Sequence, residues 1–118
     1  MIVDHLLAVV PVSDLDRATS FYVDLVGRAP DNTPMPGQLV EWQVREGGWL
    51  QVTQDEERAG RGQVNLAVPD LAAAVAELGR RGLATGEVVE VNRGVRLCTV
   101  SDPDGNAVTL IGGFRVHY

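Results

Sequence analysis

Ser101-Asp102-Pro103-Asp104-Gly105-Asn106-Ala107-Val108-Thr109-Leu110-Ile111 is the stretch from which the rest of the chain can be read. Asp102–Gly105 has the chemistry of a tight turn: Pro103 presets φ at its first corner, and Gly105 accepts the positive φ that closes it. The residues after this turn alternate and are β-branched, which predicts a strand folding back on Val95–Val100 as a hairpin. Successive residues of a strand point to opposite faces. Val108 and Leu110 therefore share one face, and Ala107, Thr109 and Ile111 share the other.

Working outward, Val95–Val100 and Glu87–Val91 read as strands, preceded by a helix over Leu71–Gly82. Pro69-Asp70 starts that helix, and Leu71, Val75 and Leu78 form its apolar stripe. Gln63–Val68 is the strand before it. The same order appears in the first half. Ile2–Val12 is an apolar, β-branched strand, and Ser13-Asp14 is a helix N-cap signal. Leu15, Ala18, Phe21, Tyr22 and Leu25 recur at helical spacing up to Gly27, a C-terminal glycine. Arg28–Gln38 is proline-bearing and predicts loop; Leu39–Arg45 and Trp49–Gln54 predict a hairpin around Glu46-Gly47-Gly48. Asp55–Gly62 is a charged linker. Superposing Asp14-Leu15 on Asp70-Leu71 also aligns Val12 with Val68 and Ala18 with Ala74. The chain is thus expected to be one domain over 1–118, an α+β fold of two βαβββ modules, about 1–57 and 58–118. Each module has one helix for its sheet, so helices cover the outer face and the other face is left open. Two such open faces are expected to curl into a trough, where a ligand would lie.

Composition narrows the function. The chain has 118 residues, 45% hydrophobic, with a net charge of −6. That charge argues against nucleic acid, whose phosphates need clustered Lys and Arg. The one cysteine, Cys98, rules out an intramolecular disulfide and a cysteine zinc cage, and reads as a buried structural thiol. No segment has the length and apolarity of a membrane span or a secretory signal, so a cytoplasmic location is expected. There is no G-x-G-x-x-G or phosphate-binding loop, and no serine sits in a nucleophile elbow.

Strand parity assigns the trough residues. His5 on the first strand, Trp49 and Gln51 on the fourth, Gln63 and Asn65 on the fifth, and Thr109 on the eighth are expected on the open face. Arg96 joins them if Val95, Leu97 and Thr99 lie under the helices. Trp42 joins them if the hairpin turn has two residues. Tryptophans mixed with neutral hydrogen-bonding groups suit a small-molecule pocket better than a wet surface or an apolar core. Arg96 would clamp a ligand carboxylate or phenolate, or else reach solvent and pair with a surface acid. Glu41 and Cys98 are the remaining titratable candidates beside His5.

Val12–Gly27 (V-S-D-L-D-R-A-T-S-F-Y-V-D-L-V-G), Val68–Leu71 (V-P-D-L) and Asp102–Asn106 (D-P-D-G-N) followed by V-T-L-I together resemble the vicinal oxygen chelate superfamily. That superfamily includes glyoxalase I, extradiol dioxygenases, fosfomycin-resistance enzymes and bleomycin-binding proteins, and the resemblance spans essentially the whole chain. It implies four metal-ligand positions, usually His and Glu, which fall here at Leu7, Gln51, Gln63 and Thr109. Leucine offers no donor, and neutral amides and a hydroxyl do not offset a divalent charge. No metal and no other cofactor is therefore expected.

The expectation is a metal-independent protein that sequesters a planar or aromatic small molecule, as a homodimer whose grooves form between chains, similar to the bleomycin-sequestering members. The ligand would contact Trp42, Trp49, Gln51, Gln63, Asn65, Arg96, Thr109 and His5. The alternative is a glyoxalase-like lyase or isomerase, metal-free or with atypical ligands; no catalytic residue is assigned. A third reading is a partner-binding subunit that uses the trough rim.

Overall fold

Each half of the chain builds one mixed sheet with one helix on it. The computed structural model describes residues 1–117. The first module is β1 (Leu6–Val12), α1 (Leu15–Val26), β2 (Asn32–Met35), β3 (Leu39–Arg45) and β4 (Gly48–Gln54); the second is β5 (Gln63–Val68), α2 (Leu71–Arg80), β6 (Val89–Asn92), β7 (Val95–Ser101) and β8 (Ala107–Gly112). The sheets have matching orders, β1-β4-β3-β2 and β5-β8-β7-β6, with the first pair parallel and the others antiparallel. This is the expected α+β pair of βαβββ modules. Even the helix starts repeat. Asp14 and Asp70 sit at nearly the same φ and ψ, and each accepts a hydrogen bond from the backbone N–H three residues on.

Three local readings change. The first strand starts at Leu6, so Ile2–His5 lies outside it. Asn32–Met35, read as loop, is a short outer strand on β3. Pro34 is tolerated there because an outer strand can leave one edge unpaired. The third change concerns the hairpin. Gln43 pairs with Trp49 and Arg45 with Gly48, leaving Val44 as an extra residue in β3. A one-residue bulge turns the side chains beyond it to the opposite face. Trp42 accordingly pairs with Leu50 and is fully buried under α1, against Tyr22, with its indole N–H donating to the Arg28 carbonyl at 2.9 Å.

The core lies on the helix side and runs through both modules. Val10, Trp42, Leu50 and Val52 pack with Tyr22 and Leu25 of α1; Val64, Val100, Val108 and Leu110 pack with Leu71 and Leu78 of α2. The Asp102–Asn106 turn is the clasp between modules. Asp102 accepts the Tyr22 hydroxyl at 2.9 Å and the backbone N–H groups of Asp104 and Asn106. Asn106 donates to the Pro11 carbonyl at 2.7 Å and accepts from Gly62 at 2.7 Å. Asp104 accepts from the Ser13 backbone and hydroxyl. Gly105 has φ 92°, the positive value that its place in the turn requires. The turn residues thus do two jobs, reversing β7 into β8 and holding the β1–α1 junction of the other module.

Candidate functional site

The face of each sheet turned away from its helix is only part-covered, and the ladder decides what stands on it. Directly paired residues share a face. On the first sheet Val9 pairs with Gln51 and Gln51 with Glu41, while Leu7 pairs with Trp49 and Trp49 with Gln43. On the second sheet Asn65 pairs with Thr109 and Thr109 with Thr99, and Gln63 pairs with Ala107. Trp49, Gln51, Gln63, Asn65 and Thr109 therefore lie on the open faces. His5, just before β1, accepts a hydrogen bond through Nδ1 from the Trp49 indole N–H at 2.9 Å.

Trp42 and Arg96 do not join them. Trp42 is turned into the core by the Val44 bulge, out of reach of any ligand on the open face. Arg96 pairs with Gly112 and has the parity of Cys98 and Val100, which are buried on the helix side opposite Leu110 and Val108. β7 is apolar at both parities, with Val95 and Leu97 on one and Cys98 and Val100 on the other. Hydrophobicity alone could not choose its face; pairing with β8 does. Cys98 is a buried thiol that donates to the Gly86 carbonyl.

The same two shifts put on the open faces Glu41, one of the titratable candidates, and Thr99, expected under the helices. Glu41 takes the position expected for Trp42. Its carboxylate accepts from the Gln51 amide at 2.8 Å on one oxygen and from the Asn32 amide at 2.9 Å on the other. Thr99 takes the place expected for Arg96, and its hydroxyl lies 2.9 Å from that of Thr109. Asn32 was hidden in the segment read as loop. The first open face is thus an amide–carboxylate network beside an indole, and the second is a hydroxyl pair beside Asn65.

The four positions where the resemblance places metal ligands are alkyl, amide, amide and hydroxyl: Leu7, Gln51, Gln63 and Thr109. Among the described residues no three His, Cys, Asp or Glu side chains converge as an ion site. This donor set does not fit a divalent cation. Among the described residues no helix is long and apolar enough to cross a membrane, which says nothing of β-barrels.

Residues 7–111 match the family model described as "Glyoxalase-like domain". No curated protein sequence matches. Among solved structures, the chain is similar to a glyoxalase/bleomycin resistance protein from Catenulispora acidiphila (31% identity, TM-score 0.86, covering 92% of this chain and 96% of that one). It is also similar to an antibiotic-binding protein from Streptomyces sp. CB03234 (29% identity, TM-score 0.74, 95% and 98% covered). A third is a bleomycin-binding protein from Streptomyces verticillus, solved with copper(II)-bleomycin (25% identity, TM-score 0.76, 93% and 96% covered).

Proposed function

Because the chain belongs to the glyoxalase-like domain family, within the vicinal oxygen chelate superfamily, we propose that it is a cytoplasmic, metal-independent small-molecule-binding protein of one domain, akin to the antibiotic-sequestering members. The observation that carries this reading is the character of the open faces. They hold an indole, paired amides, paired hydroxyls and a carboxylate, where a metalloenzyme of this superfamily would hold imidazoles and carboxylates on an ion. Sequestration needs affinity without transition-state selectivity, so the loss of the ion's ligands is harmless to it.

Trp49 supplies a flat surface for a planar or aromatic ligand. Gln51, Gln63, Asn65 and Thr109 orient it through hydrogen bonds, and His5 holds the Trp49 ring. Glu41 changes the expected ligand. With Arg96 on the helix side, the charge beside Gln51 is a carboxylate, so the ligand presents hydrogen-bond donors or a positive group there rather than an acid.

The working form is a homodimer. Leu7 and Val9 on β1 are 44% and 56% exposed on the open face, and Met35 and Val89, paired with Leu39 and Leu97, extend that apolar surface at both sheets' outer strands. A second copy laid on it would remove these side chains from water and enclose the ligand.

The test is metal content after chelator-free purification, followed by tryptophan-fluorescence titration with planar cationic and anionic aromatic compounds. Substoichiometric metal with saturable quenching by a cationic compound, lost in Trp49→Ala and weakened in Glu41→Gln, supports the reading. A stoichiometric, tightly held ion refutes it. Glu41 also favours a second reading, a glyoxalase-like lyase or isomerase, because it is a titratable group presented on the open face. Turnover abolished by Glu41→Gln would establish that reading in place of the first.

A further inference from the structure

The two modules meet unequally. One end of their seam is laced by Asp102, Asp104 and Asn106; elsewhere a crevice of about 610 Å3 opens between the C-terminal end of α1, α2 and β5. Its walls are apolar, built by Leu25 and Val26 of α1, Leu66 of β5, Leu78 of α2 and Leu110 of β8. It runs along the side of β5 that pairs with no strand. The volume is that of a cavity for a drug-sized molecule.

Its polar lining is mostly basic, and the charges are unequally answered. Arg28 is paired with Asp31 at 2.9 Å and also donates to the Gln43 carbonyl. Arg81 is paired with Glu77 and donates to the carbonyls of Asp24 and Leu25 that end α1. Among the described residues the Arg45 guanidinium has no ion-pair partner. The Val44 bulge that buries Trp42 also puts Val44 and Arg45 side by side on the crevice lining. The stem of Arg45 lies close over Gly48, where a Cβ would stand 3.0 Å from Arg45 Cγ.

We propose that this crevice, which borders the open face at Asn65 but is centred on the helix side around Leu25, Leu66 and Leu78, is a second ligand site for a small amphipathic monoanion. Its hydrocarbon body lies against the leucines, and its anionic head is held by Arg45. The charge pattern selects this class. Arg28 and Arg81 are already neutralised, and one further guanidinium on an apolar lining is complementary to one negative charge. A neutral apolar ligand would cover Arg45 without answering its charge, and a dianion would leave one charge unmet.

The experiment uses decanoate as the anionic probe and decan-1-ol as its neutral counterpart, each titrated into 15N-labelled full-length protein. Saturable shifts at Leu66, Ala67 and Ala74 with decanoate are expected, with decan-1-ol binding at least about tenfold more weakly, as one charge-assisted hydrogen bond implies. Arg45→Gln, at an exposed position, is expected to weaken decanoate about tenfold and leave decan-1-ol unchanged. Equal affinity of decanoate for Arg45→Gln and the wild type would overturn the proposal, as would the absence of saturable binding. Shifts confined to Gln51, Thr99 and Thr109 would also overturn it, by placing the probe on the open faces. The outcome is independent of metal content and of Trp49 quenching by aromatic compounds.

Discussion

Replacing Asn106 by Ala should cost far more than its size suggests, because one amide holds three partners, one of them, Pro11, across the module seam. Asn106 is 1% exposed. Its Nδ2 donates to the Pro11 carbonyl at 2.7 Å and to the Asp102 carboxylate at 2.8 Å, and its Oδ1 accepts from the Gly62 N–H at 2.7 Å. A net hydrogen bond contributes about 1 kcal/mol, and one to a charged group about 1.5–3 kcal/mol, with the groups left behind unpaired. The sum is roughly 3–5 kcal/mol, against a total stability of about 5–15 kcal/mol for a domain. In urea unfolding, followed by Trp42 fluorescence and far-UV circular dichroism, the midpoint should fall by roughly 1.5–3 M without a change of slope. Asn65→Ala, at an exposed position, is the control and should shift stability by no more than about 0.5 kcal/mol. A loss below about 1 kcal/mol in Asn106→Ala would refute the reasoning, since it would mean that water replaces the amide at the seam.

Three further outcomes rest on individual contacts. Burial, with the Asp102 carboxylate beside it, pushes the Tyr22 phenol far above its usual value. The folded state therefore keeps this proton after the unfolded chain has lost it, so stability is full below about pH 10 and falls as pH rises beyond. Tyr22→Phe should cost about 1 kcal/mol at neutral pH and flatten that alkaline decline in thermal unfolding scans; an unchanged alkaline slope would refute it. Deleting Val44 should remove the bulge while keeping Trp42 opposite Leu50, leaving a blue, shielded Trp42 emission in a Trp49→Phe background; a red-shifted band would show the register had slipped. Trp49→Phe by itself should abolish most acrylamide quenching, because Trp42 is buried, and persistence of strong quenching would contradict that assignment.

Much of this protein was legible in its residues taken one after another. The Asp14 and Asp70 caps, the helical stripes after them and the Asp-Pro-Asp-Gly-Asn turn are local signals, set by backbone sterics and by hydrogen bonds within a few residues. Their recurrence at matched spacing determined the two βαβββ modules before any contact was known. Parity along β4, β5 and β8 likewise placed Trp49, Gln51, Gln63, Asn65 and Thr109 on the open faces, because the polar residues of those strands fall mostly at one parity. Tertiary structure decided the rest. The face of Trp42 depended on one unpaired residue in β3, a property of the ladder between two strands that neither strand states alone. The face of Arg96 depended on which of two apolar parities of β7 met Val108 and Leu110. These two choices exchanged an indole and a guanidinium on the open faces for Glu41 and Thr99. The crevice beside Arg45 arises only where α1, α2 and β5 converge, and no local pattern encodes how separate elements meet.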